Sequence, residues 1–134
     1  MVITENANIV DIVNNHGIST LMTDVSFTAH MPDTLEMPYR PEIAGAFQDP
    51  TLGNYAYRIG GTSCLSGDFM YEYGFELEPR IGDKLIFRDM IHYTIVKTTM
   101  FNGVKHPDIG IIRKNGRYEV LRHFEYIDYA QRMD

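Results

Sequence analysis

Short runs rich in β-branched and aromatic residues, separated by turn signals, recur along the chain, as in a series of strands. Residues 8–13 mix polar and β-branched side chains and end at Asn14-Asn15-His16-Gly17, a strong turn signal. Residues 18–26 then read as the returning strand of a hairpin. Between residues 28 and 50 the pattern breaks down. Pro32, Pro38, Pro41 and Pro50 each lack a donor N–H and restrict the preceding residue, which argues against a long helix or a central strand. A loop this long belongs to a functional site or a subunit contact. Residues 54–59 alternate cleanly, residues 71–77 are aromatic and strand-like, and residues 84–87 and 93–99 (Tyr-Thr-Ile-Val-Lys-Thr-Thr) read as further strands. Residues 109–121, centred on Asn115-Gly116, predict a hairpin. Only residues 124–133 look helical, with Phe124 and Ile127 on one face. Many short strands with regular turn signals predict an all-β fold, a barrel or sandwich with one short C-terminal helix.

Length and charge narrow this picture. The 134 residues, 44% of them hydrophobic, suffice for one domain with a real core. A net charge of −6 argues against nucleic acid or an anionic membrane as partner, and against an oligonucleotide-binding barrel. No apolar run approaches the roughly 20 residues of a membrane span. Residues 1–5 carry no basic or apolar leader pattern, so a cytoplasmic protein is expected. One cysteine excludes an internal disulfide.

That cysteine marks the most suggestive stretch, Gly60-Gly61-Thr62-Ser63-Cys64-Leu65-Ser66-Gly67-Asp68. Three glycines permit positive φ and close approach of the backbone to another group. A thiol there is either a nucleophile or proton donor, or a small buried apolar residue in a tight turn; the segment alone leaves both open. Asp89-Met90-Ile91-His92-Tyr93-Thr94 clusters a carboxylate, an imidazole and a phenol. Tyr93 is a half-buried strand aromatic or, less ordinarily, an uncharged donor to a phosphate. The histidines do not fall at metal-ligand spacings, and no nucleotide-binding glycine pattern occurs.

Taken together, the cysteine loop, residues 89–94 and the stretch Lys97-Thr98-Thr99-Met100-Phe101-Asn102-Gly103-Val104 closely resemble the C-terminal domain of the carboxynorspermidine (carboxyspermidine) decarboxylases. These are pyridoxal-phosphate enzymes of the alanine-racemase and ornithine-decarboxylase fold type. His30-Met31-Pro32-Asp33-Thr34-Leu35-Glu36-Met37-Pro38-Tyr39-Arg40-Pro41 also looks like this branch and separates it from its cousins. The resemblance implies a preceding β/α barrel bearing the lysine that holds pyridoxal phosphate, for which 134 residues leave no room. The chain is thus expected to be the C-terminal β-domain of a homodimeric enzyme that makes norspermidine or spermidine, and to be inactive alone. By the same resemblance Cys64 crosses the dimer interface to protonate the substrate carbon after CO₂ departs. Tyr93 donates to the cofactor phosphate, Asp68 closes the cysteine loop near the substrate, and Phe101 and Asn102 wall the site. Arg40 sits where diaminopimelate decarboxylases place a substrate-binding Arg-Pro. Ornithine and diaminopimelate decarboxylases carry an acid directly after the cysteine. Leu65 stands there instead, so the reader of the far amine stays open. The alternative is a free-standing β-domain, catalytically inactive, that serves as a binding or oligomerisation module.

Overall fold

A computed structural model describes residues 4–133, so the expectation for residues 1–3 lies outside the described part. The expected hairpin is present: strand β1 (Thr4–Asn15) turns at His16-Gly17 into β2 (Ile18–Thr23), and the two pair antiparallel. A register shift between Ile9 and Asp11 divides β1. Its first half, residues 4–8, pairs with β6 (Lys84–Arg88), and its second half with β2. The bulge thus lets one long strand bend around the corner of a curled sheet.

The proline-rich stretch has more structure than its sequence suggests. It holds two single-turn helices, α1 (Phe27–His30) and α2 (Asp33–Glu36), and the two-residue strand β3 (Ala46–Phe47). Its length has a topological cause. Strand β2 runs parallel to β4 (Tyr55–Gly60), and parallel neighbours require a crossover of a dozen or more residues. Period-two reading identifies strands but is blind to which ones become parallel partners.

Strand β4 returns antiparallel as β5 (Phe69–Phe75), so the cysteine loop is the connection of a hairpin. The six strands take the order β3-β5-β4-β2-β1-β6. Ile43 bridges Phe87 of β6 a few residues before β3 pairs with β5. Ala44 N–H donates to Ile86 and Arg88 N–H to Glu42. Residues 42–47 therefore link the two outer strands and close the curl into a barrel. Inside it, Leu21, Phe27, Ile59, Tyr73 and Phe87 are fully buried, with Phe27 and Phe87 packed edge to face at 5.9 Å. The Tyr73 hydroxyl donates to the Pro41 carbonyl at 2.8 Å and pins the crossover to the core.

Residues 93–99 do not form the expected strand. They form helix α3 (Tyr93–Lys97) and an extended exit. Thr94, Ile95 and Val96 favour strands by χ1 preference, so tertiary ties override local propensity here. A 3-10 turn follows at Phe101–Gly103. Strands β7 (Ile109–Ile112) and β8 (Tyr118–Arg122) form the expected separate hairpin. Its loop is three residues long, with Gly116 at φ +80°, the left-handed position that closes such a turn. The C-terminal helix is shorter than predicted: α4 (Tyr126–Ala130) is one of four short α-helices among the described residues, capped reciprocally by Glu125 and Asp128.

Candidate active site

Cys64 is exposed, which removes the reading of a small buried core residue. Its loop is built around Asp68, only 5% exposed. One carboxylate oxygen accepts the Thr28 N–H at 3.0 Å, and the other accepts the Ser63 N–H at 2.9 Å. The backbone of Asp68 bonds Gly61 and Leu65, and Thr62 N–H reaches the Val25 carbonyl. The loop glycines do not supply positive φ. Gly61 serves close approach instead: a Cβ there would lie 2.6 Å from the Asp68 carboxylate. Asp68 thus faces inward, as the clamp that presents Cys64.

A second segment comes to the thiol from far along the chain. Asn102 Nδ2 donates to Cys64 Sγ at 3.2 Å across 38 residues. Asn102 adopts φ 59° and ψ 21°, a left-handed conformation that asparagine tolerates better than most residues. Phe101 is half exposed beside it. Thr28, Leu65, Met100, Phe101, Asn102 and Tyr129 lie along one open groove of about 680 Å³. Helix α1 holds both partners of the Cys64–Asn102 contact. Thr28 N–H binds the cysteine loop, while the Ala29 carbonyl accepts Thr99 N–H at 2.7 Å and fixes the approach to Asn102. Ser26 caps this helix by accepting the Ala29 N–H. Buried His30 joins the frame: Nδ1 accepts Ser26 N–H and Nε2 donates to the Lys105 carbonyl at 2.8 Å, with burial lowering its pKa.

Tyr93 opens α3 and is 62% exposed. The turn before it is unusual, with Asp89 at φ 57° and His92 at φ 58°, ψ −101°. With Asn102, the arm 89–103 carries three of the four non-glycine positive-φ residues among those described. Such conformations persist only where neighbours over-determine them. Tyr93 and Asn102 both lie on this arm. Arg40 lies apart from the thiol's partners: it donates to the carbonyls of Gln48 and Glu72 and stacks over Tyr71, 5.3 Å from the ring centroid. Among the described residues no cluster of three or more metal-ligating side chains occurs. Sequence reasoning marked Asp33 only as a polar residue of the proline-rich loop and missed Thr28 and Thr94; the Thr28 N–H holds the cysteine loop, and the Thr94 hydroxyl ties the arm to Asp33. The Ser26-Phe27-Thr28 start of a capped helix was the one available signal.

The chain has counterparts among known proteins. The family described as "Pyridoxal-dependent decarboxylase, C-terminal sheet domain" matches residues 3–91. A carboxyaminopropylagmatine decarboxylase from Synechocystis sp. is 54% identical over 92% of this chain and 32% of its own length. A carboxynorspermidine/carboxyspermidine decarboxylase from Campylobacter jejuni is 40% identical over 94% of this chain and 35% of its own. The crystal structure of carboxynorspermidine decarboxylase complexed with norspermidine, from Campylobacter jejuni, superposes with a TM-score of 0.88 at 39% identity, over 95% of this chain and 37% of that one. A diaminopimelate decarboxylase from M. jannaschii shares the fold, with a TM-score of 0.73 at 19% identity. The chain spans about a third of the length of these relatives. It belongs to the pyridoxal-dependent decarboxylases, as their C-terminal sheet domain.

Proposed function

We propose that this chain serves as the sheet domain of a cytoplasmic, homodimeric decarboxylase acting on a carboxylated polyamine precursor. Carboxynorspermidine, carboxyspermidine and the guanidino-ended carboxyaminopropylagmatine define the substrate class, since relatives named for each are 40–54% identical. The observation that carries the reading is the exposed Cys64, held by the Asp68 clamp and contacted by Asn102 at 3.2 Å.

The residues present fit pyridoxal phosphate. Tyr93 is exposed, and its hydroxyl can donate to a phosphate oxygen without adding charge. When bound, the cofactor supplies an electron sink for loss of CO₂. The chain's own task is then to orient and to protonate. Cys64 delivers the proton on Sγ to the substrate carbon across the subunit interface. Asn102 fixes the sulfur's position, and Phe101 with Leu65 gives the site apolar walls that exclude water. Leu65 makes no charge contact with a far amine, which suits a class whose far end varies between amine and guanidine. Asp68 is proposed as a positioning residue for Cys64, and Arg40 as a brace of the crossover.

The test joins this chain to the lysine-bearing barrel of the Campylobacter jejuni relative. The joined enzyme should decarboxylate at least one of the three substrates, and Cys64→Ala should lower turnover by about 10²–10⁴. Mixing Cys64→Ala with a variant lacking the barrel lysine should recover part of the activity, because a shared interface restores one intact site. Unchanged turnover in Cys64→Ala overturns the assignment.

A further inference from the structure

Helices α2 and α3 are each too short to be stable alone, since a helix of four or five residues barely passes nucleation. They lie side by side, joined by two side-chain ties of equal sequence separation. Thr94 Oγ1 donates to Asp33 Oδ2 at 3.0 Å, and Lys97 pairs with Glu36; the partners are 61 residues apart in both cases. Asp33 and Glu36 are spaced i, i+3, as are Thr94 and Lys97, so the two turns run in register. Asp33 is 3% exposed, and its Oδ2 also accepts the Tyr39 hydroxyl at 3.0 Å. Three further bonds continue the seam. Thr98 Oγ1 reaches the carbonyls of Thr94 and His30, and Thr99 N–H reaches Ala29.

We propose that Asp33, acting through Thr94, is the positioning residue for the arm that carries Tyr93 and Asn102, with Glu36–Lys97 as a second, exposed tie. The physical need is specific. Residues 93–99 are strand-prone by composition; within the arm the turn is held by the Thr98 hydroxyl on the Thr94 carbonyl and by Val96 N–H on His92, and the Asp33 acceptor is the buried anchor that Thr94 finds outside it. The turn sets the direction of Tyr93 just beyond the constrained His92. The stretch 30–41 thereby acts on the site through the arm, while its Arg40 is engaged with backbone carbonyls. The consequence for cofactor binding rests on the function proposed above; the effect on the arm does not.

Two measurements separate these levels. In the 134-residue chain, hydrogen exchange is followed at Val96 N–H, bonded to His92, and Thr99 N–H, bonded to Ala29. Thr94→Val, which keeps shape and removes the donor, and Asp33→Ala should each speed exchange at both amides by roughly tenfold or more, with the amides of Leu21 and Ile59 unchanged. The double variant should add nothing beyond Asp33→Ala. In the joined two-domain enzyme, affinities for pyridoxal phosphate and for pyridoxal are compared. Thr94→Val and Tyr93→Phe should each reduce the preference for the phosphorylated form by about 3–10-fold, and the two changes together should lose no more than the larger. A purely structural tie would weaken both ligands alike. Unaltered exchange at Val96 and Thr99 in both variants overturns the proposal. Altered exchange in an enzyme that binds neither ligand overturns the functional reading and leaves the arm's dependence on Asp33 established.

Discussion

Replacing Asp68 by alanine tests the clamp beneath Cys64 most directly. The carboxylate is almost fully enclosed and accepts two backbone N–H groups, from Thr28 and Ser63. Hydrogen bonds to a charged acceptor contribute about 1.5–3 kcal/mol each, and both donors lose their partner together. Thr28 and Ser63 are half-buried, so water recovers part of the loss. The expected destabilisation is about 2–4 kcal/mol, large against a total of about 5–15 kcal/mol yet compatible with folding. Urea unfolding followed by far-ultraviolet circular dichroism reads this as a midpoint lowered by about 1–3 M. A second change sharpens the test. In the wild type, Gly61→Ala sets a Cβ against the Asp68 carboxylate at 2.6 Å and should destabilise by about 1–3 kcal/mol. In the Asp68→Ala background the struck atoms are gone, so most of that penalty should vanish. A double-mutant cycle should therefore show coupling of about 1 kcal/mol or more. Additive effects, or a loss below about 0.5 kcal/mol for Asp68→Ala, would refute the clamp.

Two further outcomes are expected. Tyr73→Phe leaves the buried Pro41 carbonyl without its donor and should lower stability by about 1–2 kcal/mol in the same denaturation assay; no change would mean that water replaces the hydroxyl. Burial, and then the Asp24 carboxylate, push Glu5 up to about 7 from 4.5. A carboxyl raised on folding favours the protonated form, so its stabilising effect is complete below 4.5, declines as pH rises to about 7, and is gone above. Glu5→Gln should thus raise stability at pH 8 by about 1–3 kcal/mol and leave it nearly unchanged at pH 4.5; equal gains at both would contradict the assigned titration.

The strand content was legible because each buried face repeats every second residue, as Ala7 and Ile9 do in β1 and Leu85 and Phe87 do in β6. The cysteine loop and the Asn115-Gly116 turn announced themselves through glycine. The arm did not. Tyr93 to Thr99 has strand composition, and it turns helical because Asp33 and Glu36, 61 residues earlier, supply partners that no local window contains. Asp68 shows the same limit. Its place at the end of the cysteine loop was visible, but its inward direction depends on Thr28, which the crossover brings from 40 residues away. The proximity of Asn102 to Cys64 likewise depends on that one helix serving two loops.

The sealing of the barrel by residues 42–47 also bears on how the protein is made. That piece leaves the ribosome before either of its neighbours, since it must join β5, which ends at Phe75, and β6, which ends at Arg88. It is synthesised early and used late. While waiting, an unpaired segment is a hazard, because open backbone donors and acceptors invite pairing with other chains. Here the flanking prolines, Pro38, Pro41 and Pro50, withhold donors on both sides of it, and only two of its residues become strand. The residues that spoil the stretch as an ordinary strand are thus what let it wait without mispairing, and ring closure is expected to be the last event of nascent-chain folding.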